Sequence, residues 1–257
     1  MSLGFSTFSS VGFVRGIRNG LSLFDKAAQQ MSSGFFLNSG ADGPAALIAS
    51  ERLRERIGSI GAEIENVSSL VDKYDYASSS LQDLRSQLVE LRGLAVSAAN
   101  EGGNDPGVQS AYSAVGDHIV ASYNRQLENT EYNGANVFDG SEGSLAKLAP
   151  VTGIGLSTAA NAEASITKID SALAKLDKAD IDIGSAVRYD LKSEKSNLEL
   201  TRENLVRAES MIRDVDYASA IVEMMRGQMQ ANASAALLSH SFLTQATVMR
   251  LFSGLSK

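Results

Sequence analysis

The chain of 257 residues contains no cysteine and no tryptophan, only two histidines, and few aromatic residues at 6%. Without cysteine there is no disulfide framework and no thiolate metal centre. That suits a cytosolic protein and an exposed extracellular one equally. His118 and His240 lie far apart in the chain, and neither sits in an H-E-x-x-H pattern. No P-loop, no G-x-S-x-G and no Rossmann glycine pattern occurs. Asp214 and Asp216 form a D-x-D pair, but no third ligand follows at calcium-loop spacing, so helix capping or ion pairing is the expected role. Basic excess is missing too: a net charge of −7 speaks against a nucleic-acid partner, which needs a positive surface. No run approaches 18 apolar residues, so no membrane partner is expected. The opening MSLGFSTFSSVGFVRGIRNG lacks a basic stretch followed by an unbroken apolar run and is not read as a Sec leader. No catalytic, cofactor-binding or metal-binding residues are expected.

What is present is helical periodicity, built largely from Ala, Ser, Leu and Gly. Val14, Ile17, Leu21, Phe24, Ala28 and Met31 recur at alternating spacings of 3 and 4, a helix with a narrow apolar seam. SSGFFLNSGADGPAA, residues 32–46, breaks that helix. Gly34 and Gly40 are turn residues there, and Asp42 before Pro44 is the expected N-cap of the next helix. That helix is predicted from about Ala45 to Asn100. Its seam runs Leu53, Ile57, Ile60, Ile64, Val67, Val71, Tyr74, Ser78, Leu81, Leu84, Leu88, Leu91, Ala95 and Ala98, with two successive threes around Leu81 that overwind it locally. At 1.5 Å per residue it is roughly 80 Å long.

The run 102–107 ends this helix, and another fits Val108, Tyr112, Val115, Ile119 and Tyr123. From Tyr132 the Asn-Gly and Asp-Gly pairs predict a small hairpin or two near 130–160. Helical spacing returns at Ile166, Ile169, Leu173, Leu176, Ile183 and Val187. It slips, then resumes at Leu191, Leu198, Leu205, Ala208, Ile212 and Val215. Leu238, Phe242, Gln245, Met249 and Phe252 close the pattern. The expected fold is mainly α: a long antiparallel coiled-coil rod formed by the N- and C-terminal halves, with the hairpin region between them. Asn66 and Asn232 match the glycosylation sequon, but both fall in predicted helices. Charge is concentrated in the middle of the chain. Before Asp25 the charged side chains are Arg15 and Arg18, and after Gly227 they are Arg250 and Lys257. Seamed ends with so little charge are expected to bury themselves against a partner.

Four segments carry a family resemblance. SSGFFLNSGADGPAAL (32–47) resembles the N-terminal flagellin signature, matched at Ser32, Ser33, Gly34, Asn38, Ser39 and Asp42. LVELRGLAVSAAN (88–100) and Tyr132-Asn133-Gly134 are similar to two further family motifs. MIRDVDYASAIVEM (211–224) resembles the C-terminal block, matched at Arg213, Asp214, Asp216 and Tyr217. Phe36, Gly43-Pro44, Gly93 and the ending MRLFSGLSK depart from the family pattern. The resemblance implies an extracellular filament subunit that polymerises with itself. It implies a terminal coiled-coil domain, 1–44 with 218–257, and a helical rod domain, 45–217. It further implies unfolded export by the flagellar type III apparatus with a chaperone, and hook-associated and cap proteins as neighbours. Val14, Ile17, Leu21 and Phe24 are expected to meet Leu238, Phe242, Met249 and Phe252 in the filament core. With only residues 133–165 between Tyr132 and Ile166, the family's variable outer domains are absent. In many members the segment equivalent to 88–100 is read by Toll-like receptor 5. Here Glu90 stands where detected forms carry Arg, Leu94 is kept, and Val115 or Gly116 replaces a Glu. The alternatives are a hook–filament junction protein, a flagellin-like protease and an intracellular coiled-coil scaffold. The protease would need an insert and histidines that this chain lacks, and the charge-poor ends argue against the scaffold.

Overall fold

In the computed structural model the chain is described over residues 3–100, 105–141 and 143–254. Within those ranges side chains are described from Val11 onward, except at 245, 248, 249 and 251–254. The chain is mainly α. Its helices are α1 (Leu3–Ser33), α2 (Pro44–Ala98), α3 (Pro106–Asn129), α4 (Ala159–Ser185), α5 (Lys192–Arg213) and α6 (Tyr217–Gly254). Strands β1 (Glu131–Tyr132) and β2 (Ala135–Asn136) pair antiparallel between α3 and α4. Two compact units result, Met1–Ser59 with Arg202–Lys257, and Ile60–Thr201.

The unit Ile60–Thr201 has a closed core. Leu84, Leu88 and Leu91 of α2 are fully buried, and they share one cluster with Tyr123, Phe138, Leu156, Ile169 and Leu176. Burial of each such side chain contributes roughly 1.5–3 kcal/mol. The predicted α2 seam is the buried line, from Ile60 and Val67 through Leu81 to Ala98. α2 and α4 run antiparallel, as three cross-helix pairs record. Ser78 donates to Asp180 at 2.8 Å, Arg85 meets Asp177 at 2.9 Å, and Arg92 meets Asp170 at 2.6 Å. The two arginine pairs are exposed and fix register more than they stabilise.

The slip after Val187 has a physical form. Ala186–Leu191 is a π-helical turn, and the N–H of Lys192 donates to the carbonyl of Val187, five residues back. An extra residue is taken up there without breaking the helix. The seam predicted for α3 is only partly the buried face. Tyr123 is buried, but Val108 and Val115 stand 37% and 46% exposed, while Gly116 is buried instead. A Cβ on Gly116 would lie 2.7 Å from Leu156, so absence of a side chain lets the segment around Leu156 close on α3. The hairpin turn is Asn133-Gly134, with φ of 54° and 77°. Positive φ at both central residues marks a type I′ turn, as Asn-Gly predicts. The irregular chain after β2 is satisfied by side chains. Asn124 both donates to the carbonyl of Val151 and accepts from its N–H, at 3.0 and 2.9 Å. Ser165 pairs in the same way with Gly155.

Candidate assembly site: the paired ends of the chain

α1 and α6 lie antiparallel, since Gly16 approaches Ser234, Gly20 approaches Ala231 and Gly227, and Gly34 approaches Tyr217. The line of contact is made of small residues. Gly20 and Ala27 of α1 and Ala220, Gly227 and Ala231 of α6 are all buried. A Cβ on Gly20 would come within 2.6 Å of the backbone of Ala231 and Gly227. A Cβ on Gly227 would come within 2.7 Å of the carbonyl of Gly20. Both contacts are to backbone, which cannot move aside, so these glycines set how closely the helices approach.

The ends are joined by a built turn. α1 stops at Gly34, whose N–H donates to the carbonyl of Gln30 at 2.9 Å and whose φ is +77°. Only glycine adopts that left-handed cap freely. The following residues pair with the end of α5: Phe36 N–H donates to the Arg213 carbonyl at 2.7 Å, and Val215 N–H to the Gly34 carbonyl at 3.0 Å. The Gln30 side chain, buried, donates to the carbonyl of Phe36 at 2.9 Å. Arg213 covers the ring of Phe35 at 4.5 Å and meets Glu51 and Glu209 at 3.4 and 3.8 Å, while its Nε is buried without a partner.

Most of the signature positions gather at this turn, but not all in the expected roles. Asp42 was expected to cap α2. Its carboxylate turns back into the loop instead, accepting from Asn38 N–H at 3.3 Å and from Ser39 N–H and Oγ at 2.9 and 3.0 Å. It also pairs with Lys26 at 3.1 Å. That lysine's hydrogen bond, helped by Ser39, holds the carboxyl below its ordinary range. Asp216 is the helix cap: its carboxylate accepts from the N–H of Ala218 and Ser219 at 3.0 and 3.4 Å. Asp214 accepts from Ser210, and Ser33 Oγ donates to the Gln30 carbonyl. Asn38 donates to the carbonyl of Phe35. Ser32 and Tyr217 are exposed.

The residues expected to pack between subunits sit beside the contact line. Val14, Leu21 and Phe242 are 45%, 50% and 56% exposed, and Ile17, Phe24 and Leu238 are half-buried. Val14, Leu238 and Phe242 come together with Val11, Arg15 and Arg18 around a groove of about 370 Å³. The side chains of Met249 and Phe252 lie outside the described residues. Sequence reasoning missed Gly20, Ala27, Gly227 and Ala231. Their signal is a small-residue repeat at spacings of 7 and 4, which a search for large apolar residues passes over. In the other unit, Glu90 is exposed on α2 while Leu94 is half-buried against the core. Among the described residues no three His, Asp or Glu side chains could hold a metal, and no helix is long and apolar enough to cross a membrane.

Comparison with known proteins supplies the context. Residues 9–143 match the bacterial flagellin N-terminal helical region, and residues 166–252 match the bacterial flagellin C-terminal helical region. The chain is 27% identical to a flagellin of Halalkalibacterium halodurans over 252 residues, covering 88% of this chain and 90% of that one. It is 26% identical to a flagellin of Bacillus subtilis and 24% to flagellin FlaB1 of Treponema pallidum, each over 88% of this chain and 91% of the relative.

Proposed function

The chain belongs to the bacterial flagellin family, and on that premise we propose that segments 1–44 and 218–257 build the core of its filament, with 45–217 as the helical rod domain. Its function is that of a structural, non-enzymatic subunit that polymerises with itself into the extracellular flagellar filament. The junction-protein alternative is not favoured, because the relatives are flagellins and filament core proteins. The core reading is supported above all by Val14, Leu21 and Phe242, which are apolar, about half exposed in the single chain, and set in ends almost free of charge. Burying the remaining exposed half of each on assembly contributes about 1 kcal/mol, repeated in every copy. Phe242→Asp should block polymerisation while the unit Ile60–Thr201 keeps its helical circular dichroism. Normal filaments from that variant would overturn the proposal.

Export through the flagellar type III apparatus with a chaperone, and contact with hook-associated and cap proteins, belong to the same reading. The chain should then reach the medium only from cells with a working flagellar export gate. Glu90 carries a further expectation. It offers only acceptors where detected family members offer the five donors of an arginine, so activation of Toll-like receptor 5 should be weak. For filament building Glu90 is a solvated helix residue. A reporter-cell assay should show a gain of signal in Glu90→Arg, and wild-type potency equal to that of a detected flagellin would refute the expectation.

A further inference from the structure

Between α4 and the irregular segment after β2, within the unit Ile60–Thr201, lies a cleft of about 350 Å³. That is near the lower end for small-molecule sites, roughly 300–1,000 Å³. Tyr123, Leu148 and Val151 form its buried lining. Lys168, Ser171, Ala172 and Lys175 line one wall, at spacings that keep them on one face of α4. Pro150 and Thr152 line the other. The walls are set in advance by hydrogen bonds. Asn124 holds Val151 by two of them, and Lys168 Nζ donates to the carbonyl of Gly153 at 2.6 Å. Gly153 has a φ of +67°, and a Cβ there would lie 3.0 Å from Lys168 Nζ, so glycine lets the ammonium come up to the rim.

The polar side chains of this cleft are all able to donate. They are two ammoniums and the hydroxyls of Tyr123, Thr152, Thr167 and Ser171, with no Asp or Glu among them. Yet the chain as a whole has 30 acidic residues against 23 basic ones. The carboxylates of α4 near the cleft are engaged elsewhere, Asp170 with Arg92 and Asp177 with Arg85. Among the described residues neither Lys168 nor Lys175 has an ion-pair partner. Tyr123 is 2% exposed, its remaining surface opens on the cleft, and its hydroxyl forms no hydrogen bond among the described residues. Burial keeps that phenol protonated, a donor without an acceptor. We infer that the cleft binds a small organic anion, its apolar body against Leu148, Val151 and Ala172 and its carboxylate or phosphate held by Lys168, Lys175 and the Tyr123 hydroxyl. A cation would meet two like charges there, and a neutral apolar molecule would leave the donors unused.

Benzoate and phenyl phosphate, each titrated into the isotopically labelled full chain as monomer, test this by amide NMR. One or both should shift the amides of Val151, Thr152, Ser171 and Lys175 to saturation, with a dissociation constant in roughly the millimolar range or below. The tighter of the two identifies which anionic group the cleft takes. Benzylamine, similar in size to benzoate and opposite in charge, should leave those amides unmoved. Lys175→Met keeps the stem, removes the charge and should weaken the bound probe roughly fivefold or more. Tyr123→Phe removes only the hydroxyl and should weaken it roughly threefold. Lys178→Met, at an exposed position of α4 outside the cleft, should bind as the unmodified chain does. Shifts that do not saturate with either anion, equal binding of benzylamine, or equal affinity in Lys175→Met and Lys178→Met would overturn the site.

Discussion

Leu84, Leu88 and Leu91 are wholly enclosed within the unit Ile60–Thr201, whereas Val14, Leu21 and Phe242 in the paired ends remain about half exposed. The two regions are both helical and both seamed, yet they bury different things. One unit packs large aliphatic and aromatic side chains into a shared core. The ends pack Gly and Ala against each other and leave large apolar residues such as Val14, Leu21 and Phe242 about half exposed. A helix pair held by small residues gains little hydrophobic free energy from its own contact, because each such residue removes little apolar area from water. The stabilisation available to the ends therefore lies in contacts that a single chain does not make. That division fits a subunit whose one region folds alone and whose other is completed by neighbours.

The sharpest way to break this contrast is to damage each region and ask which property is lost. Leu88→Ala removes a fully buried side chain and should destabilise the unit Ile60–Thr201 by about 2–5 kcal/mol in chemical denaturation of the monomer. A change well under 1 kcal/mol would mean that the core is not what holds this unit. Gly227→Ala places a methyl against the backbone of Gly20 and Phe24. It should cost about 1–3 kcal/mol at the α1–α6 contact, raising the critical concentration for polymerisation, and leave the denaturation of Ile60–Thr201 unchanged. Equal loss in both assays would erase the distinction.

Two smaller effects follow protonation. Burial pushes the Tyr123 phenol up to about 12. A group whose folded pKa is raised contributes stability that is present below its unfolded value, ordinarily 10.0, and is lost as pH rises toward 12. Unfolding of Ile60–Thr201 should therefore ease between those values, and Tyr123→Phe should remove that part of the pH dependence. Asp42 goes the other way. Its folded pKa is lowered, so the contribution is present above the ordinary 3.8 and is lost as pH falls below it. In Lys26→Met the Asp42 midpoint, followed by carbon NMR, should move up toward 3.8. An unchanged midpoint would deny the Lys26 pair its role.

How much of this was legible in the sequence depended on side-chain size. The α2 seam from Ile60 to Ala98 was readable because its buried positions carry Leu, Ile and Val, so periodicity and packing coincide. Asn133-Gly134 was readable because few residue pairs accept positive φ twice in succession. The slip after Val187 announced an irregularity, and the π-helical turn is its form. The close α1–α6 contact was not legible, because a seam drawn through large residues follows Leu21 and Phe24, whereas close approach of two backbones selects Gly20 and Ala27. The same substitution of glycine for bulk displaced Val115 in favour of Gly116. Asp42 misled because a carboxylate before Pro44 has the look of a cap, while the N–H groups of Asn38 and Ser39 and the lysine of α1 competed for it successfully. Such competition depends on where the chain returns in space, which local pattern does not contain.

The central claim is that the ends are completed by other copies while Ile60–Thr201 is complete within one chain. Amide hydrogen exchange, residue by residue, in monomer and in filament tests it most directly. The account predicts that amides of α1 and α6 exchange rapidly in the monomer and become strongly protected in the filament. It also predicts that those around Leu84, Leu91 and Ile169 are protected alike in both. Ends already as protected in the monomer as in the filament would contradict it.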